Sequence, residues 1–191
     1  QAAWCAEHVG FPDCSVDRIV PPVRSENPID VAVEKYYEWN VEEKAFVGPA
    51  PKIDGMNLAD NLLAYIERKL FTLNTGHAIT AYVGKMKGRQ TIGESIEVPE
   101  IFDLVHAAMQ QSGEALVKQF GFDHEAHFKY IEKIIKRFRN PYLKDDVNRV
   151  GREPLRKLSA DDRLIKPIMT AKSFGLPYDK LLLGVGAALH F

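Results

Sequence analysis

The chain has 191 residues, 46% of them hydrophobic, enough apolar material for a sizeable core. Its 25 Lys and Arg nearly cancel its 26 Asp and Glu, so no global field draws it to nucleic acid or a membrane surface, and neither is an expected partner. No secretory signal opens the sequence, and its longest apolar run, residues 181–191, is too short and too broken by glycine to span a bilayer. That run reads as a buried terminal helix in a cytoplasmic protein.

In chain order, Trp4, His8, Val9 and Phe11 suit a short helix ending at Gly10. Cys5 and Cys14 lack zinc-type spacing and read as reduced thiols. Residues 16–23 and 30–41 are rich in β-formers. Val31, Val33, Tyr37, Trp39 and Val41 alternate with period two, and Pro21-Pro22 and Asn27-Pro28 are the breaks. Residues 48–55 form a turn-rich connector, beyond which everything reads as helix. Asn57 suits an N-cap, with Asp60 three residues on, followed by an apolar stripe of Leu58, Leu62, Tyr65, Ile66, Leu70 and Leu73. Further helices are predicted at about 98–119 closing at Gly121, 123–138 closing before Asn140-Pro141, 159–173 closing at Gly175, and 178–189. The expected class is mainly α: a short β segment at about residues 15–46 ahead of a multi-helical domain, with the division at 1–50 and 51–191.

On the first long helix, Lys69, Asn74 and His77 follow one another as Lys-x4-Asn-x2-His. On an ideal α-helix at about 100° per residue, Leu73 falls roughly 40° from Lys69, His77 roughly 80° and Asn74 roughly 140°, so these polar groups share one flank with apolar Leu62, Ile66 and Leu73. A lysine beside an apolar stripe is partly desolvated, which lowers its pKa from about 10.4 toward the range of a general base. Asn74 and His77 have the donors to hold an oxygen that gains charge as an alcohol becomes a ketone. The same three residues also fit a solvated edge or a satisfied core network.

The stretch from Glu67 to Ala78 resembles the signature of the polyol-specific long-chain dehydrogenases. Val16-Asp17-Arg18-Ile19-Val20-Pro21-Pro22, and Asn140 to Asp146 through Leu155 to Ala160, resemble closely the members of that family that act on mannitol 1-phosphate. The resemblance implies an NAD-dependent enzyme interconverting D-mannitol 1-phosphate and D-fructose 6-phosphate. In it Lys69 is the general base, Asn74 and His77 hold the reacting oxygen, and Asp17 is a ligand for substrate hydroxyls. An ion pair with Arg18 is the other reading of Asp17.

Between Lys133 and Lys166 eleven basic residues face five acidic ones, a local surplus of six in a near-neutral chain. Residues 133–139 read as a solvated basic helix face. Arg149, Arg152, Arg156 and Lys157, around Gly151 and Pro154, interrupt the helix and suit a sugar phosphate. In the family an Arg and a Lys eight residues apart bind substrate, a spacing that Arg149 and Lys157 meet. His124-x2-His127, on a helix expected to be exposed, lacks a third ligand, so no metal is expected.

Hydride transfer needs a nicotinamide, and its site normally reads as strand, Gly-x-Gly-x-x-Gly, helix. Gly184-x-Gly186 has Leu189 in the third place and follows no strand. In the family the nucleotide domain precedes Asp17-Arg18, so residues 1–50 are expected to be a connector from the enzyme's own Rossmann domain, whose sheet they would extend. The start at Gln1 and the apolar end Leu189-His190-Phe191 fit trimmed ends, and the fragment alone should be inactive. The alternatives are a dehydrogenase of an unphosphorylated polyol or sugar acid, and a non-catalytic helical assembly module.

Overall fold

The computed structural model describes residues 2–21 and 25–191, and the chain divides into two compact units, residues 1–67 and 68–191. The first unit opens with α1 (Ala2–His8), closed by a bond from the Val9 N–H to the Cys5 carbonyl at 2.9 Å. Three short strands follow, β1 (Cys14–Asp17), β2 (Glu38–Glu42) and β3 (Met56–Ala59), in the order β1-β2-β3. β1 runs antiparallel to β2 with Val16 opposite Trp39, and β3 runs parallel to β2 with Met56 opposite Trp39.

The two expected strands shrink. Residues 18–21 and 30–37 are not strand, and Pro22 and Val23 lie outside the described residues. Val31, Val33 and Tyr37 keep their period-two spacing, yet all three are exposed; alternation makes a strand only where a neighbour takes the hydrogen bonds and one face is buried. The bend before β2 is fixed instead by Glu34, whose buried carboxylate accepts from the Ile19 N–H at 2.6 Å while Arg18 Nε donates to the Glu34 carbonyl at 3.0 Å. Asn57 is no N-cap. It sits in β3, opposite Asn40, and α2 (Leu62–Lys69) starts later, where Asn61 Oδ1 accepts from the Ala64 N–H at 3.3 Å.

The second unit is helical and is built around α3 (Thr75–Met86), whose Ala78, Ile79, Ala81 and Tyr82 are at most 1% exposed. Packed on it are α4 (Ile92–Ile96), α5 (Pro99–Phe120), α7 (Val147–Gly151) and α10 (Asp179–Leu189). α6 (His124–Phe138) and α9 (Lys166–Ser173) lie on α5, and α8 (Pro154–Lys157) is a single turn. Each large side chain fully buried here, such as Phe71, Ile79, Ile131 or Leu164, contributes about 1.5–3 kcal/mol of hydrophobic stabilisation.

The helix ends follow local chemistry. α5 carries Pro at its first turn and stops at Gly121, which takes φ 70. Asp123 caps α6 through a bond from the Ala126 N–H at 2.7 Å, and Thr91 with Glu94 makes a reciprocal capping box on α4. The helix expected over 159–173 forms only from Lys166, because residues 158–165 are taken up by turns. The terminal helix is buried on one side only: Leu181, Ala187 and Ala188 are covered, while Leu182, Leu183 and Leu189 are exposed. Among the described residues no helix is long and apolar enough to cross a membrane.

Candidate active site

The segment joining α2 to α3, Leu70–Asn74, is a π-helical turn. A π turn closes on residue i+5, so residues five apart stand nearly above one another instead of roughly 140° apart. That is the spacing of Lys69 and Asn74. His77 follows three residues later in regular α-helix, where i and i+3 are neighbours. The widened turn therefore turns Asn74 closer to the side of Lys69 than a regular α-helix would. All three are half-buried.

A π turn costs hydrogen bonds, and the chain replaces them with named groups. The Thr75 N–H, which in an α-helix would donate to the Phe71 carbonyl, turns to Leu70 and Thr72 instead. The stranded Phe71 carbonyl is caught by the Ser112 hydroxyl of α5 at 2.8 Å, inside the core. The Thr75 hydroxyl donates to the Leu70 carbonyl at 2.9 Å and to the Arg163 carbonyl at 2.7 Å. Gly76 leaves space for Met109, which would meet a Cβ there at 2.5 Å. Thus α5 and the 158–165 turns shape the face that carries the motif.

His77 is held from two sides. Its ring stacks on Phe138 at 5.0 Å between centroids, and its Nε2 lies 3.0 Å from Oδ2 of Asp145, which is only 3% exposed. The contact is close but oblique: Oδ2 takes no aligned hydrogen bond. The other carboxylate oxygen accepts from Nε and Nη2 of Arg149. Burial pushes the Asp145 carboxyl up, but His77 and Arg149 outweigh it and hold it below the ordinary carboxylate range.

The basic segment divides into different fates. Arg149 is spent at least in part on Asp145. Lys157 is buried, donates to the Arg152 carbonyl, and is pushed down to about 8 by burial and by Arg163 and Arg156. Arg156 is half-exposed and pairs with Glu153 at 3.2 Å and Asp162 at 2.7 Å. Arg152 is exposed, beside Glu153, a non-glycine residue at φ 56. Arg137 is buried, so residues 133–139 are not simply a solvated face. Asp17 is buried in β1 of the first unit. His127, expected to be exposed, is 2% exposed. Asp145 went unsingled in the sequence because its role depends on a partner 68 residues away; its place four residues before Arg149 was the available signal.

No dinucleotide cradle forms around Gly184 and Gly186, which lie within α10 with Gly184 against Ile79.

Residues 61–191 match the model of the mannitol dehydrogenase C-terminal domain, and residues 1–55 match that of the mannitol dehydrogenase Rossmann domain. The chain belongs to the mannitol dehydrogenase family. It is similar to mannitol 2-dehydrogenase of Pseudomonas fluorescens, solved as a ternary complex with NAD and D-mannitol: 25% identity, TM-score 0.79, covering 97% of this chain and 40% of that one. A D-sorbitol dehydrogenase in substrate-free form shares the fold, with 19% identity and TM-score 0.81, over 99% of this chain and 41% of that one. The chain thus spans well under half the length of these solved relatives.

Proposed function

We propose that this chain is the polyol-binding, proton-transferring part of an NAD-dependent dehydrogenase whose substrate pair is D-mannitol 1-phosphate and D-fructose 6-phosphate. The observation that supports the dehydrogenase reading is the π turn between α2 and α3, which lies inside the Lys69, Asn74 and His77 motif. Lys69, as the neutral amine, takes the proton of the C5 hydroxyl, and Asn74 and His77 donate to the oxygen as it gains charge. The Rossmann portion, whose family model the first 55 residues match, would hold NAD, which would accept the hydride leaving that carbon. The alcohol thereby becomes a ketone and the proton remains on Lys69.

The phosphate is assigned to the break between α7 and α8. Arg152 is exposed there, and the pairs Arg156 makes with Glu153 and Asp162 are partly solvated, hence weak enough to be exchanged for a phosphate. A second reading, oxidation of an unphosphorylated polyol, is favoured by the inward commitment of Arg149 and Lys157 and by the mannitol-bound relative. In the intact enzyme, Arg152→Ala combined with Arg156→Ala should lower kcat/KM for mannitol 1-phosphate by about 10–100-fold, the loss expected of charged hydrogen bonds. The value for mannitol should stay unchanged. Equal losses on both substrates, or none, would reject the phosphate assignment.

A further inference from the structure

The Asp145 carboxylate is not needed to hold its own backbone. The Asp145 carbonyl accepts from the Ile92 N–H at 2.8 Å and the Val147 N–H donates to the Gln90 carbonyl at 3.0 Å, while α7 is capped by the neighbouring Asp146. What the buried carboxylate meets is two side chains, His77 through Oδ2 and Arg149 through Oδ1. Burying a charge costs several kcal/mol unless it is paired, and this one is placed against a motif residue.

We propose that Asp145, itself steadied by Arg149, is a positioning residue that holds the Nε2 edge of His77 and thereby fixes the direction in which the ring meets the substrate oxygen. The inference rests on the reading of His77 as an oxygen ligand. Stacking on Phe138 fixes the plane of the imidazole but does not tell apart the two orientations related by a flip about the Cβ–Cγ bond. A carboxylate 3.0 Å from Nε2 removes this freedom and calls for a proton there, so that Nδ1 is the ring atom left for the substrate and donates to its oxygen in the ring that carries both protons. Asp145 is also the counter-charge when the ring carries both protons. Arg149 then acts at least in part through Asp145.

The test is a double-mutant cycle in the intact enzyme with NAD, using Asp145→Asn, His77→Ala and both together, with kcat and KM measured on the polyol substrate. Asp145→Asn should lower kcat on the order of 10–100-fold, the range for partners that orient a functional histidine, with KM little changed and no further loss in the double variant. A large loss in His77→Ala with none in Asp145→Asn overturns the positioning role alone; no loss in either overturns it together with the oxygen-ligand reading. Should Asp145→Asn fail to fold, ring nitrogen NMR of His77 in the unmodified enzyme decides. A proton on Nε2 supports the proposal, and an Nε2 without one overturns it.

Discussion

Lys69→Ala, made in the intact enzyme, should cut kcat by about 10²–10⁴-fold, the usual contribution of a positioned acid or base, while NAD affinity stays near its original value. Removing a base raises the barrier of the proton-transfer step without touching the nucleotide. The informative partner is Lys69→Arg, which keeps the positive charge but never supplies a neutral base. If Lys69 served only as a cation beside the oxygen, Arg would rescue much of the rate; as a base, Arg should be as poor as Ala. Turnover in Lys69→Ala should climb with hydroxide concentration, since solvent then does the work of the missing amine. Full turnover across the pH range would end the lysine-base assignment. Steady-state rates from pH 6 to 10, with NAD binding followed by fluorescence, make the comparison.

The motif itself was legible in the sequence, but its geometry was not. Lys69 and Asn74 are five apart, roughly 140° on an α-helical wheel; the π turn that narrows this angle goes with a bond from the Ser112 hydroxyl, on another helix, to the Phe71 carbonyl. No local period encodes that bond. The long helices α5 and α6 were legible because their stops are chemical: Gly121 at positive φ and the Asp123 cap. Asn57 misled because capping chemistry and strand membership use the same residue, and the pairing of β3 with β2 decided for the strand. Likewise the count of basic charges in 133–166 was correct while their fates were not readable. Which of Arg149, Arg152, Arg156 and Lys157 faces inward depends on Asp145, Asp162 and one backbone carbonyl.

His127 should make the folded chain acid-sensitive above the range where carboxylates titrate. The ring is 2% exposed, lies against Phe122, Phe128 and Tyr130, and has a hydrogen-bond partner at neither nitrogen. Gly113 makes the room, since a Cβ there would come within 3.0 Å of Nε2. Burial, then the charges of Arg68 and His124, against a smaller opposing pull from Glu114, press its pKa from 6.5 down to about 4. A folded pKa below the unfolded one means that the unfolded chain binds the proton first. The stability this neutral histidine contributes is therefore complete above about pH 6.5 and is lost as pH falls toward 4, with a slope approaching 1.4 kcal/mol per pH unit and a total of about 3 kcal/mol. Asp145 and Asp162, whose folded pKa values are lowered from 3.8, lose their contributions at still lower pH and leave this window clear. Replacing His127 with Leu keeps the site apolar and removes the titration. Urea midpoints between pH 7 and 4.5 should fall in the parent and run nearly flat in His127→Leu, whatever constant offset the change in shape imposes; parallel curves for the two proteins would show that His127 is not the group responsible.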